Sequence, residues 1–307
     1  MAPLDSPLRR VIEAVNRVLL GKDRQVRLAL SCLLAGGHLL IEDIPGVGKT
    51  TLAQVLARTL GLEYRRIQFT SDLLPADVVG ISVFDREAAT FRFHPGPVFS
   101  QVLLADEINR GTPRTQGALL EAMEEGQVTV DGHSHPLPDP FLVIATQNPI
   151  HQIGTFPLPE SQLDRFLIRL TLGYPDAAAE RALLAGEDRR HLVAAIEPIA
   201  SGKHLMGWRK AVRMVHAAPA LIDYVQALAE ESRRCGVFEA GLSPRGTLAL
   251  LNAARSWAFL HGSHKVTPEH VQAVFAGVAG HRLRPRNTLA DDPALLLARL
   301  VASVPLL

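Results

Sequence analysis

The sequence predicts an α/β fold, in which a parallel sheet flanked by helices is followed by a smaller part made only of helices. Short apolar runs of strand length alternate with segments of helical periodicity as far as Leu172. The first of these runs, His38–Glu42, leads through a glycine-rich loop directly into a helix. Beyond Gly173-Tyr174-Pro175 the only regular pattern is helical periodicity. We therefore expect one domain at 1–174 and a helical domain at 175–307.

The elements of the first part follow from hydrophobic period and from the residues that end each run. Two helices come first, one with apolar residues at helical spacing from Leu8 to Leu19 and one from about Arg24 to Leu34, and glycine follows each. Beyond the loop, the sequence predicts, in order, a helix at Thr51–Leu60, a strand at Tyr64–Phe69, a hairpin from Ile81–Phe84 and Thr90–Phe93, a strand at Gln101–Ala105, a helix at Pro113–Glu125, a strand at Gln127–Val130 with a partner past Asp131-Gly132, and strands at Phe141–Thr146 and Phe166–Leu172.

The second part has the pattern of packed helices. Apolar residues recur at helical spacing and predict helices around 176–187, 219–234, 244–260, 268–280 and 292–304. The pattern at 188–207 is ambiguous and favours neither helix nor strand.

The composition is that of a folded globular chain. Hydrophobic residues make up 47% of the 307 residues and charged residues 21%, so the chain can bury a sizeable core. The net charge of +1 gives no argument for a nucleic-acid partner or an anionic membrane surface. No apolar run reaches the roughly 18 residues of a spanning helix, so we expect no membrane insertion. Cys32 and Cys235 form no disulfide framework, and together with the lack of a signal-peptide pattern they predict a cytoplasmic location.

The segment DIPGVGKTT at 43–51 has the residues of a phosphate-binding loop between a strand and a helix. Gly46 and Gly48 let the backbone approach a ligand closely, so that successive N–H groups can turn toward a polyphosphate. Lys49 would reach the outer phosphates, and the Thr50 hydroxyl would bind Mg²⁺. The pattern asks for glycine where this chain has Asp43, and the alternative is an ordinary strand-to-helix turn. The residues expected to bind nucleotide are Pro45, Gly46, Val47, Gly48, Lys49, Thr50 and Thr51.

A second apolar strand, Val102–Ala105, ends in two carboxylates, Asp106 and Glu107. A neighbouring strand of a nucleotide-binding sheet is expected at about this distance along the chain from the loop. Asp106 would then hold Mg²⁺ opposite Thr50, and Glu107 would polarise the attacking water. The alternative is a buried strand with a solvated acidic end.

Three further polar residues follow elements that could bring them to the site. Asn148 ends another buried strand, where its amide could orient the water; the alternative is a turn-forming asparagine before proline. Arg165, at the entry to a strand, could be an arginine finger supplied across a subunit boundary, or a surface ion pair with Asp164. Arg245 stands at a helix start after the N-cap Ser243, where it could reach back toward phosphates or be an ordinary exposed arginine.

Taken in this order and spacing, the segments resemble the MoxR family of AAA+ ATPases, and the resemblance covers nearly the whole chain. The segments are GGHLLIEDIPGVGKT at 36–50, DEINR at 106–110, ATQNP at 145–149, LDRF at 163–166 and SPR at 243–245. The resemblance implies a P-loop (AAA+) parallel sheet core with two β-hairpin inserts, followed by a small all-α lid domain. It also implies that the cofactors are ATP and Mg²⁺.

Each candidate residue takes a role from the same resemblance. The two hairpins, near 81–93 and at Gln127–Pro138, resemble inserts that face the central pore of a ring in related proteins. Leu20-Gly21-Lys22 resembles the wall on the adenine side. The remaining roles are Walker A for Lys49 and Thr50, Walker B for Asp106 and Glu107, sensor 1 for Asn148, arginine finger for Arg165 and sensor 2 for Arg245.

The function implied by the resemblance is ATP-driven, chaperone-like remodelling or maturation of a protein client. The expected assembly is a homo-oligomeric ring, a hexamer, which would act with a von Willebrand A domain partner. Three alternatives stay open. They are a nucleotide-gated interaction module with little hydrolysis, a motor subunit of the metal-chelatase type, and a nucleic-acid motor, against which the neutral charge and the lack of an appended DNA-binding motif argue.

Overall fold

A computed structural model of the chain describes residues 7–87, 89–148, 154–186, 189–287 and 292–306. The strands are β1 (His38–Glu42), β2 (Tyr64–Gln68), β3 (Gly80–Asp85), β4 (Thr90–Pro95), β5 (Val102–Asp106), β6 (Gln127–Val130), β7 (His133–Pro136), β8 (Leu142–Gln147) and β9 (Phe166–Leu170). Five of them form one parallel sheet in the order β2-β5-β8-β1-β9. The strand that leads into the glycine-rich loop is therefore an interior strand of the sheet, and the predicted fold class is confirmed.

Parallel pairing decides which ends of the strands meet. Glu42 at the end of β1 pairs with Gln147 at the end of β8, and β5 ends beside them. The residues that follow these three strands therefore share the carboxyl edge of the sheet. At the other edge, the first residue of β9, Phe166, pairs with the first residue of β1, His38. A residue that precedes β9 consequently lies a full strand length from the glycine-rich loop.

Two antiparallel hairpins project from this α/β unit. β3 pairs with β4 and β6 with β7, as the alternating runs and the turn at Asp131-Gly132 predict. The hairpins contact each other, because the ring of His135 stacks on that of Phe93 with centroids 4.0 Å apart. At the far end of the first hairpin, Phe84 and Phe91 form an exposed edge-to-face pair.

The helices surround the sheet and form the rest of the chain. Those within the first part are α1 (Pro7–Val18), α2 (Asp23–Leu34), α3 (Lys49–Thr59), α4 (Pro75–Val79), α5 (Pro113–Glu125) and α6 (Glu160–Leu163), with a 3₁₀ turn at Ile108–Arg110. Those after β9 are α7 (Ala177–Ala185), α8 (Arg189–Ala194), α9 (Gly202–Arg213), α10 (Pro219–Arg234), α11 (Pro244–Leu260), α12 (Pro268–Ala279) and α13 (Pro293–Ser303). Residue 187, included in a predicted helix, lies outside the described residues.

α9 is the main helix that periodicity does not predict. Among its residues only Leu205 and Val212 are buried, so it shows one apolar contact every two turns rather than a continuous stripe. Two of the predicted helices carry clearer start signals. Ser243 accepts a hydrogen bond from the N–H of Gly246 at 3.0 Å at the start of α11, and Asp176 accepts one from Ala179 at 2.7 Å at the start of α7.

The apolar core joins the two parts of the chain. The strands β1, β5 and β8 are buried along almost their whole length, and α2 and α12 both pack against β9. A single cluster of buried apolar side chains extends from Leu8 in α1 to Val304 after α13. The last strand of the sheet ends at Leu170 and the next helix starts at Ala177. Within the described ranges no helix is long and apolar enough to span a membrane.

Candidate functional site

The loop between β1 and α3 has the geometry of an anion-binding site. Gly46 has a φ of +87° and Gly48 a φ of +97°, and residues with a Cβ rarely adopt these left-handed conformations. α3 begins at Lys49 with Gly48 as its N-cap, a residue without a side chain to pair with the first N–H groups of the helix. Those N–H groups and the positive end of the helix dipole therefore face the loop, where a phosphate would be held.

Lys49 lies at the centre of a group of oxygen acceptors. Its side chain is buried, and its Nζ donates to the backbone oxygen of Asp43 and to Asn148 Oδ1 at 2.9 Å. The backbone oxygen of Gln147 is 3.4 Å away. Burial lowers the pKa of Lys49, while the negative charge of nearby carboxylates opposes that shift. The ammonium is thus held among acceptors that the oxygens of a phosphate can replace.

Asp106 is held on both sides of its carboxylate. Oδ2 accepts hydrogen bonds from Arg66 Nη2 at 2.6 Å and Nε at 3.0 Å, and Oδ1 accepts one from the hydroxyl of Thr146 at 2.5 Å. The same hydroxyl accepts from the backbone N–H of Glu107 at 2.8 Å. Thr146 therefore joins the Asp106 carboxylate to the backbone of Glu107, across the pairing of β5 with β8.

Glu107 is the second residue of this acidic pair and stands in a left-handed conformation, with a φ of +53°. Such a backbone costs about 1–3 kcal/mol in a residue other than glycine and is found where a site needs it. Oε1 accepts from Asn148 Nδ2 at 3.1 Å, and Oε2 contacts Gln68 Nε2 at 3.1 Å and Arg110 Nε at 2.9 Å. The Asn148 amide thus joins the Lys49 cation to the Glu107 carboxylate.

The oxygen donors at this edge fit Mg²⁺. The hydroxyl of Thr50, in the first turn of α3, has no hydrogen bond within the described part of the chain, and Asp106 adds a carboxylate. Mg²⁺ prefers such hard oxygen ligands and takes the rest of its shell from phosphates and water. Arg66 occupies one oxygen of Asp106, so a metal ion here would bind the Thr146 side of the carboxylate, bind through water, or displace Arg66.

The two candidate arginines lie together, but not with Lys49. Arg165 Nη2 is 2.5 Å from Glu124 Oε2, and Arg245 Nη1 is 3.1 Å from Glu124 Oε1. Glu124 is in the last turn of α5, which returns from the carboxyl edge of the sheet to the amino edge, where the neighbouring Met123 accepts a hydrogen bond from His38. In this structure Arg245 is therefore paired with Glu124, and its approach to a phosphate stays a prediction.

Several residues of the site were assigned no role from the sequence. Thr146 lies inside the apolar run of β8, and its role depends on β5 being the neighbouring strand. Arg66 is in β2, where a charged residue in a sheet strand is the only signal in the sequence. Asn109 donates from Nδ2 to the backbone oxygen of Asn148 at 3.2 Å and so supports the Asn148 loop from below. Glu124 lies far along the chain from Arg165 and Arg245, so its pairing with them depends on tertiary packing.

Comparisons with known proteins agree with this geometry. The model of the ATPase family associated with various cellular activities (AAA) matches residues 38–168, and the AAA lid domain matches residues 230–296. YeaC of Bacillus subtilis is 44% identical over 276 residues, which cover 90% of this chain and 86% of YeaC. Chaperone MoxR1 of Mycobacterium tuberculosis is 38% identical over 317 aligned positions, covering 97% of this chain and 82% of that protein.

A solved structure of another protein has the same fold as this chain. A crystal structure from Cytophaga hutchinsonii superimposes with a TM-score of 0.88 at 32% identity, covering 98% of this chain and 95% of the other. The sheet order, the loop and the lid helices place the molecule in the AAA+ class of ATPases. Since the similarity to MoxR proteins extends over most of the chain, it belongs to the MoxR family within that class.

Proposed function

We propose that this protein hydrolyses ATP in the presence of Mg²⁺, in a homo-oligomeric ring, and uses the energy to remodel a protein client. The observation that carries the proposal is the connection from Lys49 through the Asn148 amide to Glu107 at the carboxyl edge of the sheet. A phosphate-binding cation, a polar amide and a carboxylate in contact are the groups that phosphoryl transfer to water requires.

Each residue has a distinct task in this proposal. The loop N–H groups from Pro45 to Thr51 and the Lys49 ammonium bind the phosphates and neutralise their charge. Thr50 and Asp106 hold Mg²⁺, which when bound withdraws electron density from the phosphate oxygens. Glu107 polarises the attacking water, and the Asn148 amide orients it toward the γ-phosphate.

The arginines argue for a ring. Arg165 and Arg245 converge on Glu124 at the amino edge of the sheet, away from the loop of their own subunit. A neighbouring subunit that presents its carboxyl edge to this face would bring both guanidinium groups to one nucleotide. Head-to-tail contacts of this kind close into rings, and we propose a hexamer with Arg165 as the finger and Arg245 as the second sensor.

The proposed client is a polypeptide. The exposed Phe84 and Phe91 of the first hairpin offer an apolar contact, and MoxR1, which is 38% identical, is named a chaperone. A nucleotide-gated module with little hydrolysis would not need Glu107 held toward Asn148. A metal-chelatase motor is not favoured by the names of the relatives that match most of the chain. A nucleic-acid motor is favoured neither by those names nor by the net charge of +1.

We further propose that the chain acts in the cytoplasm with a von Willebrand A domain partner and that 175–307 moves as a lid on 1–174. The two cysteines are unpaired, which suits a reducing compartment.

The test of hydrolysis is Glu107→Gln, which keeps the shape of the side chain but removes the base. ATP should still bind, and the rate of phosphate release should fall by about 10²–10⁴-fold. Glu63→Gln is the matched control, because Glu63 is an exposed carboxylate at the amino end of β2 that pairs only with Arg65 within the described residues. Turnover near the control value in the Glu107 variant would reject the assigned role.

Client binding and DNA binding are tested with the same protein. Glu107→Gln should retain a client in the presence of ATP, whereas Lys49→Ala should not, and the two captures are compared by mass spectrometry. Fluorescence anisotropy with single- and double-stranded DNA at physiological salt should show no specific binding. Tight DNA binding with ATP-dependent release would favour the nucleic-acid motor instead.

A further inference from the structure

Asp43 stands where the phosphate-loop pattern has its first glycine, and its side chain has partners that a glycine cannot have. The carboxylate is buried, with the residue 7% exposed. Oδ2 accepts from the backbone N–H groups of Leu172 at 2.7 Å and Gly173 at 2.6 Å. Oδ1 accepts from the N–H of Ile44 at 2.8 Å. One end of the phosphate loop is therefore bonded to the segment that follows β9.

The backbone of Asp43 is bonded to the site itself. Its N–H donates to the backbone oxygen of Gln147 at 3.2 Å, next to Asn148. Its backbone oxygen accepts from Lys49 Nζ. When a phosphate accepts the hydrogen bond of the Lys49 ammonium, the backbone oxygen of Asp43 loses its donor. Binding of a phosphate at the loop therefore changes a hydrogen bond of Asp43 directly.

The segment after β9 is the linker between the core and the lid. We define it as residues 171–176, between β9 and α7. Besides Asp43, Lys22 holds it from the other side, because Lys22 Nζ donates to the backbone oxygen of Tyr174 at 2.7 Å. Gly21 packs closely against Asp176 and Ala179, and a Cβ at Gly21 would lie 3.3 Å from the Asp176 carboxylate and 3.2 Å from the Ala179 methyl. Asp43 and Lys22 thus hold the linker by hydrogen bonds from two sides, beside the proposed nucleotide site.

We propose that Asp43 is a positioning residue that couples occupancy of the phosphate loop to the position of the core-to-lid linker. The proposal rests on the proposed function, since it requires a nucleotide in the loop. A shift of the loop toward the phosphates moves the Asp43 carboxylate, and the N–H groups of Leu172 and Gly173 follow because they are bonded to it. The lid, which carries Arg245, then responds to the nucleotide bound in its own subunit.

The loop pattern and the structure make opposite predictions for one substitution. Asp43→Gly restores the pattern G-x-x-x-x-G-K-T and, judged by the pattern alone, should leave the protein unchanged or improve it. According to the structure it should leave nucleotide binding in place and cut the connection to the linker. Glu42→Gln is the matched control, because the adjacent Glu42 also joins β1 to β9, through Arg169 Nη1 at 3.0 Å, and among the described residues its carboxylate makes no hydrogen bond to the loop or the linker.

The measurement is hydrogen–deuterium exchange of the linker with and without ADP, together with ADP affinity from a fluorescent analogue. At about 100 times the Kd, linkage allows a bound nucleotide to slow exchange in a coupled segment by up to about 100-fold. We expect a slowing of at least about tenfold in the wild-type protein and in Glu42→Gln. In Asp43→Gly we expect less than about twofold slowing, with the Kd for ADP within about fivefold of wild type.

The outcomes separate this proposal from the proposed function. If ADP slows hydrogen–deuterium exchange in the linker of Asp43→Gly as much as in the wild-type protein, the proposed coupling is overturned. That result would leave the proposal of ATP binding intact. A wild-type protein that binds no ADP would overturn both. If Asp43→Gly does not fold, Asp43→Asn decides, because it keeps the shape while its single acceptor oxygen cannot serve both Ile44 and the linker. A nucleotide effect on its linker at least about threefold smaller than in wild type supports the proposal, and an equal effect overturns it.

Discussion

Arg165→Ala should remove most ATP turnover while leaving ATP binding to each subunit nearly unchanged. The reason is the position of Arg165 one residue before β9, at the amino edge of the sheet. Lys49 lies beyond the other edge, after β1 and the loop. In the proposed ring a subunit would therefore contribute its phosphate loop to one nucleotide and its Arg165 to another.

The separation of Arg165 from the phosphate loop of its own subunit follows from the strand geometry. From His38 to Glu42, β1 rises about 3.3 Å per residue, so the two edges are about 13 Å apart before the loop is added. Arg165 is moreover already bonded to Glu124 at the amino edge. In the proposed ring it would therefore act on a neighbour, and an arginine finger supplied in that way is worth about 10³–10⁵ in turnover.

The assay is a titration of Arg165→Ala against Lys49→Ala subunits at fixed total protein, with phosphate release as the readout. The first variant offers an intact loop and the second an intact finger. If subunits mix at random, an interface that combines the two occurs with probability x(1 − x), where x is the fraction of either variant. Activity should therefore peak at equal amounts, at about one quarter of the wild-type value.

A second mixture tests Arg245 in the same way. Arg165 and Arg245 share Glu124, so both should face the same neighbour. Mixing Arg245→Ala with Arg165→Ala should then restore nothing, because no interface receives both arginines from one subunit. If Arg245 instead acted on the nucleotide of its own subunit, the same mixture would recover about one quarter of the activity.

The reasoning is refuted if the mixture of Arg165→Ala and Lys49→Ala recovers no activity at any ratio while the wild-type specific activity is independent of protein concentration. That result would indicate a self-sufficient monomer.

The remaining predictions concern binding and stability. Lys49→Ala should lose detectable binding of a fluorescent ATP analogue while its melting temperature changes little, since phosphate loses the cation of the loop; unchanged affinity would contradict the loop assignment. Burial lowers the pKa of His38 to about 4, and its ring accepts from the N–H of Val143 at 3.0 Å, so the folded state resists protonation. In the unfolded chain the His38 imidazole binds a proton below about pH 6.5. The free energy of unfolding should therefore fall by up to about 3 kcal/mol as the pH drops from about 6.5 toward 4. Urea unfolding at pH 7 and pH 4.5 would show a smaller difference in His38→Asn, and an equal difference would contradict the role of His38.

The order of strands and helices could be predicted because the signals are local. The run His38–Glu42 has the length and composition of a buried strand, and the glycines after it allow the positive φ that the loop requires. Asn148 and Glu107 could be expected at one edge because the carboxyl ends of parallel strands meet there, and their side chains are 3.1 Å apart. The helix α9 could not be predicted from the sequence, because it buries too few residues to show helical periodicity.

Tertiary packing decided the partners of the long side chains. Whether Arg245 faces its own nucleotide or a neighbour's depends on where α11 packs, and nothing in Ser-Pro-Arg encodes that position. The loop pattern identifies Asp43 only as a position that lacks the expected glycine. In the fold, the backbone N–H groups of Leu172 and Gly173, just after β9, lie within 2.7 Å of its carboxylate. Residues far apart in the chain make these contacts, and their distance depends on the packing of every element between them. Periodicity and motif spacing report only the forces that act within a few residues, so the sequence determined the loop and the strands, while the fold decided which charges meet.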